Sequence, residues 1–233
     1  MTEKSFSSSS DAVILEDNFK RISHNIENAM TKAGRTDNVR LMAVTKTVPY
    51  EKVNHAVTLG IDLLGENRVQ EFMGKYEFYE KNCEIHFIGG LQNNKVKYII
   101  DKVSMIHSVD SRKLADEISK RAITSNRKMD ILIEVNIGGE DSKGGVTLEA
   151  ADELAAYCME LAGVNLRGYM TIPPPTSDSS RYFAQMQELY LNSRTKYGGI
   201  DTLSMGMSND YEQAVLFGSN IVRIGSALFG NRK

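Results

Sequence analysis

The chain of 233 residues is poor in most of the features that announce a function early. Its two cysteines, Cys83 and Cys158, lie in different segments without CxxC spacing. They read as free thiols of a reducing compartment and not as a disulfide framework. The four histidines, His24, His55, His86 and His107, have no HxxxH or comparable ligand spacing, so no metal site is expected. No apolar run approaches the roughly 18 residues that span a membrane. The opening stretch MTEKSFSSSSDAVILED lacks the long apolar region and cleavage pattern of a secretory signal. A net charge of −2 leaves no basic excess of the kind that nucleic-acid binders carry. The expectation is a cytoplasmic protein with no metal, membrane or nucleic-acid partner.

What is present has the composition of an ordinary globular chain, 41% hydrophobic and 25% charged, long enough to bury a sizeable core. Residues 1–12 read as a polar, serine-rich, disordered tail and 13–233 as one domain. Ile14, Leu15, Phe19, Ile22, Ile26 and Met30 then recur at helical spacing and stop before Gly34, which predicts an N-terminal helix. From residue 40 short apolar runs alternate with helical patterns. The runs are RLMAVT (40–45), IDLLGE (61–66), EIHFIG (84–89), SMIHSV (104–109), MDILIEVNI (129–137), VNLRGYMT (164–171), DTLSMG (201–206) and NIVRIG (220–225). Asp110 or Ser111, Thr147 and Ser177 are the expected helix caps. All four prolines, Pro49 and Pro173–Pro175, follow strand candidates and break no helix. Alternation on this scale predicts a (β/α)8 TIM barrel, with a doubly wound sheet as the rival. Two observations favour the barrel. No strand is followed by a GxGxxG turn. Unusual polar residues also collect after the strands: Lys46, Glu66-Asn67, Gly89-Gly90, Asn136, Ser208 and Gly225-Ser226.

Lys46 ends an apolar strand, where an ammonium is expensive to desolvate unless something pairs or reacts with it. It either snorkels to the rim or serves as an amine whose pKa burial has lowered. SMGMSNDYEQA (204–214) and VRIGSALFG (222–230) each run from a strand through a turn into a helix start, the first with Ser208 or Asn209 at its cap. Such loops suit a phosphate, although ordinary capping accounts for the same residues. Arg223, between Val222 and Ile224, points into the barrel if those neighbours face the helices. There it needs an acceptor, for instance a salt bridge to Glu134. A strand-end lysine, a phosphate cradle and an inward arginine together fit pyridoxal 5′-phosphate, whose aldehyde forms a Schiff base with an amine.

AVTKTVP (43–49), GENRVQE (65–71), HFIGGLQNNK (86–95), LSMGMSNDYEQA (203–214) and VRIGSALFG (222–230) resemble, in order and spacing, the pyridoxal phosphate homeostasis protein family. The resemblance runs from about residue 13 to Arg232. It implies a single barrel similar to the N-terminal domain of alanine racemase, of the fold type III pyridoxal group. It also implies that Lys46 is the Schiff-base lysine. Ser208, with backbone groups of Gly225 and Ser226, becomes the phosphate cradle, and Arg223 faces the pyridine nitrogen. Asn67, Met205 and His86 fall in matching motifs near the same face, with packing as the alternative for His86 and Met205. Departures from the family pattern are Arg68 after GEN, Gly144 in EDSKGGV (140–146) and the proline-rich TIPPPTSD (171–178).

The expected function is to bind and buffer the cofactor without robust catalysis, in a monomer that delivers it to apo-enzymes. Lys143 is a candidate second lysine. The alternatives are an amino-acid racemase of the alanine racemase type and an interaction scaffold with a vestigial pocket. Racemisation needs an acid–base group on each face of the substrate carbon. The resemblance implies that the second of these, a tyrosine, goes with a C-terminal domain that a chain read as one barrel lacks.

Overall fold

The computed structural model describes residues 9–140 and 143–230. Short segments rich in Val, Ile and Leu form β1 (Arg40–Val44), β2 (Leu63–Glu66), β3 (Glu84–Phe87), β4 (Met105–Val109), β5 (Met129–Val135), β6 (Val164–Thr171), β7 (Thr202–Ser204) and β8 (Ile221–Ile224). Each strand pairs in parallel with the next, and β8 returns to β1, so the sheet closes into a barrel in chain order. Strands buried on both faces need apolar side chains in both directions. Ile131, Leu132 and Ile133, all fully buried, meet that need without interruption. The rival doubly wound sheet is thereby excluded.

The helices are α1 (Ser9–Lys32), α2 (Tyr50–Thr58), α3 (Val69–Lys75), α4 (Val96–Ile99), α5 (Arg112–Thr124), α6 (Leu148–Met159), α7 (Ser180–Lys196), α8 (Tyr211–Leu216) and α9 (Ser226–Phe229). Ser111 and Thr147 cap α5 and α6 as expected, accepting from Leu114 N–H and Ala150 N–H at 3.3 Å each. Ser177 does not cap α7. That helix opens at Ser180, whose N–H is taken by Asp178 Oδ1 at 2.9 Å. α1 begins at Ser9, inside the stretch expected as tail, and the expectation for residues 1–8 lies outside the described residues. Its buried stripe of Leu15, Ile22 and Ile26 explains the order. The helix packs on α8 and α9, where Asn18 Nδ2 donates to Leu228 O at 3.0 Å and Asn25 Nδ2 to Tyr211 Oη at 3.0 Å.

The main core lies between barrel and helices. The barrel interior holds two small apolar clusters, Met42, Val44, Leu63, Ile88 and Ile221 on one side and Met105, Leu132 and Met170 on the other. Between and around them stand polar side chains, which is where the interior stops being mere packing. Among the described residues no helix is long and apolar enough to cross a membrane.

Candidate functional site

β1 runs into a tight turn in which Val48 N–H donates to Thr45 O at 3.0 Å. Lys46 and Thr47 form its corner, and Lys46 is half-buried. Thr47 has φ +62°, the left-handed region that glycine normally fills at the third position of a turn. A β-branched residue there carries strain of about 1–3 kcal/mol and persists only where its surroundings hold it. They do so here. The Thr47 N–H donates to Glu71 of α3, and Lys75, one helical turn on, pairs with Glu71 and donates to Thr45 O at 3.1 Å. Below the turn, Thr45 Oγ1 donates to Glu66 Oε1 at 2.8 Å, and the Tyr79 hydroxyl donates to the same oxygen. Burial pushes the Glu66 carboxyl above the usual carboxylate range, and burial followed by the neighbouring Glu66 raises the Tyr79 phenol.

On the other side of the seam between first and last strands, Val222 and Ile224 face the helices and Arg223 faces the barrel interior. Its guanidinium donates to Ser204 O, Ser204 Oγ and Thr171 O, each at 2.8 Å. The acceptors are therefore neutral, and the salt bridge to Glu134 considered from the sequence is replaced by carbonyl and hydroxyl partners. Burial lowers the Arg223 pKa to about 10, which leaves it cationic at neutral pH. Glu134 is pushed up to about 7, by burial first and by Asp110 second, while Arg223 opposes the rise.

Ser208 does not cap α8. That helix starts after a turn in which Asp210 Oδ1 accepts Met207 N–H at 2.7 Å. Ser208 Oγ instead accepts Ala227 N–H at 3.2 Å, which ties the β7 loop to the first turn of α9.

Lys46, Asn67, Arg223, Ser208, Gly225 and Ser226 all line one cavity of about 760 Å³ at the C-terminal end of the barrel, a size within the ordinary range for a small-molecule site. Asn67 Oδ1 is buried there without a hydrogen-bond partner. Gly89 fixes that asparagine from behind, since a Cβ on it would stand 2.1 Å from Asn67 O. The far wall is Ile172–Ser177 together with Lys143, whose Nζ donates to Pro173 O at 3.3 Å and pairs with Glu140.

Two of the residues singled out from the sequence stand elsewhere. Met205 packs in the outer core, because Ser204 turns inward to Arg223 and its neighbour must turn outward. His86 sits within the barrel with Nδ1 2.9 Å from His107 Nε2, and its Nε2 is 3.4 Å from Glu84. Burial lowers the pKa of both imidazoles. Sequence reasoning passed over this pair, and also Glu71 and Lys75. The histidines are on neighbouring strands and no local spacing links them. Glu71 and Lys75 did carry a signal: an i,i+4 acid–base pair in the helix directly after the GEN motif.

The lining combines the cations Lys46, Lys143 and Arg223 with Asp210, Glu212, an unpartnered amide oxygen and backbone turns, which suits a polar small molecule that both carries negative charge and donates hydrogen bonds. Comparison with known proteins narrows the class. Residues 18–233 match the family model described as alanine racemase, N-terminal domain. The pyridoxal phosphate homeostasis protein of Aquifex aeolicus (strain VF5) is 48% identical over 219 residues, covering 91% of this chain and 96% of that one. Among solved structures, an unknown protein from Bifidobacterium adolescentis superposes with a TM-score of 0.91 at 33% identity, covering 95% of this chain and 96% of that one. PipY of Synechococcus elongatus PCC7942, solved with PLP bound, gives a TM-score of 0.80 at 26% identity over 93% of this chain and 100% of its own. By fold, motif order and near full-length identity, the chain belongs to the pyridoxal phosphate homeostasis protein family, built on the alanine racemase N-terminal domain.

Proposed function

We propose that this protein binds pyridoxal 5′-phosphate and serves in its intracellular homeostasis, holding it covalently through Lys46 without robust catalysis. One observation carries the reading: an amine, a buried arginine on neutral acceptors and a serine–glycine turn line the same cavity. The residues fit the group. Asn67 Oδ1 is a buried acceptor without a partner, and the cavity's cations are matched to an anion. Lys46 supplies the attaching amine, Ser208 with the Gly225–Ser226 turn would hold the phosphate, and Arg223 would meet the ring nitrogen. Met205 and His86 are buried in the core and the barrel interior and do not line the cavity. When bound, the cofactor supplies an aldehyde and an electron-withdrawing ring. A cationic partner keeps the ring nitrogen unprotonated and makes that ring a weaker electron sink.

The carrier reading is preferred to racemase chemistry on the contents of the cavity wall. Among the described residues no histidine lines it. Tyr211 does, but its hydroxyl is engaged by Asn25 of α1. Besides Lys46 and Arg223, the wall's other titratable groups are already engaged, Lys143 by Glu140, Asp210 by Met207 N–H and Glu212 by Asn25. The lack of one well-placed acid–base partner costs roughly 10²–10⁴-fold in rate. A monomer that passes its cofactor to apo-enzymes in the cytoplasm completes the proposal.

The test joins two measurements on the cofactor-loaded protein. Borohydride reduction followed by peptide mapping should find the adduct on Lys46, and an adduct chiefly on another lysine sinks the assignment. A chiral assay of alanine and serine should give only trace racemisation. Turnover on the order of 1–10³ s⁻¹, lost on Lys46→Ala, would overturn the carrier reading.

A further inference from the structure

The turn that carries Lys46 is gripped by one helix on both sides of the lysine. Glu71 accepts the N–H of the residue after it, Lys75 donates to the carbonyl of the residue before it, and the two side chains pair with each other. We propose that the Glu71–Lys75 pair of α3 is a positioning device for Lys46, holding Thr47 in the left-handed region and so fixing the direction in which the lysine leaves the barrel rim. The inference rests on the reading of Lys46 as the attachment point.

Three observations support it. An i,i+4 acid–base pair that only stabilised its own helix would lie on an exposed face. These side chains are 20% and 15% exposed and reach the backbone of another element. Thr47 is one of two non-glycine residues with positive φ among the described residues, and it is β-branched, the type least suited to that region. The turn also has a second support, since Thr45 Oγ1 is held by Glu66 beneath it. Loss of the α3 contacts should therefore let the corner relax without unravelling β1. A side chain at the second position of a turn swings when the third position changes region, so relaxation at Thr47 re-aims Lys46. Neither side chain lines the cavity, and under this proposal the pair acts through the turn.

The experiment uses full-length Glu71→Met, Lys75→Met and the double variant Glu71→Met/Thr47→Gly, each titrated with pyridoxal 5′-phosphate. Affinity, the visible circular dichroism of the bound cofactor and the melting temperature of the cofactor-free protein are the readouts. Peptide mapping of the reduced wild type comes first, and an adduct away from Lys46 fails the functional reading itself. With the adduct on Lys46, Glu71→Met and Lys75→Met should weaken binding on the order of tenfold, the size expected when strain of this kind loses its support. The dichroic band should diminish or change sign, with little movement in melting temperature. Adding Thr47→Gly should recover most of the affinity and the band, because glycine takes positive φ unaided. Wild-type affinity and dichroism in Glu71→Met, or a deficit that Thr47→Gly leaves unchanged, overturns the proposal. So does a loss of affinity that only follows a loss of melting temperature.

Discussion

The two ends of the barrel use the same charged residue types in opposite ways. At the N-terminal end Arg40 bridges Asp62 at 3.2 Å and Glu84 at 2.8 Å, and Arg167 bridges Asp130 and Asp201. Charge meets charge there, and the strand starts are stapled to one another. At the C-terminal end the buried Arg223 donates to carbonyls and a hydroxyl, with Glu134 and Asp210 acting on it only through their fields, and it faces a cavity that Lys46 also lines. A guanidinium on neutral acceptors satisfies its hydrogen bonds while keeping its field. The lesson is that partner type, more than residue type, separates the end that stabilises from the end that binds.

The comparison breaks if the ends can be exchanged. The largest contrast should come from Lys46→Ala, which is expected to abolish the borohydride-stable adduct while leaving the melting temperature of the cofactor-free protein unchanged. Mass spectrometry and calorimetry on the same sample check both halves.

Arg223→Leu should follow. It strands Thr171 O and both acceptors on Ser204, and each buried unsatisfied group costs about 1–3 kcal/mol. Relief of the buried guanidinium's own desolvation cost offsets part of that sum, so a net loss of about 2–4 kcal/mol in urea unfolding is expected, with weaker retention of the cofactor.

Arg167→Ala, at the other end, should cost about 1 kcal/mol, since its ion pairs are partly exposed. The affinity for pyridoxal 5′-phosphate should stay at the wild-type value. A matching loss of affinity would erase the distinction between the ends.

The smallest effect is a slope. Burial lowers the pKa of His86 and His107 below the unfolded value near 6.5, so the unfolded chain binds their protons more readily. Their share of stability is present above that value and is lost as pH falls through it. Glu134, raised to about 7, works against them, because its share is present at acid pH and is lost as pH rises from the unfolded value toward 7. His107→Gln should therefore flatten the fall in stability from about pH 7 to pH 5, and Glu134→Gln should steepen that same fall. Urea unfolding across that range decides it.

Much of the fold was legible because parallel strands buried on both faces write themselves as apolar runs. All eight expected segments contain a strand. β7 is the one most shortened, three residues against six, since Gly206 at φ +91° turns the chain away beside Ala214. The cavity residues Lys46, Asn67, Ser208, Arg223, Gly225 and Ser226 stood out as polar interruptions at strand ends, and they do line one space. Met205 packs in the outer core, the packing alternative weighed for it, as strand alternation requires once Arg223 is given a partner on Ser204. The α3 clamp and the histidine pair needed knowledge of which element lies beside which. Pattern within a segment does not contain that.

The closure of the barrel carries a kinetic consequence. Arg40–Ala43 align with Ile221–Ile224, and α1 rests on α8 and α9, so the first elements made find their partners among the last. Lys46 and the Gly225–Ser226 turn sit on opposite sides of that seam. Contacts so distant along the chain form slowly, because a long loop must be ordered before they repay it. During synthesis the nascent chain can therefore shape most of its barrel and still offer no pocket. Ligand competence should arrive in one late step, when the eighth strand zips onto the first, and a ligand that bridges the seam should retard its reopening.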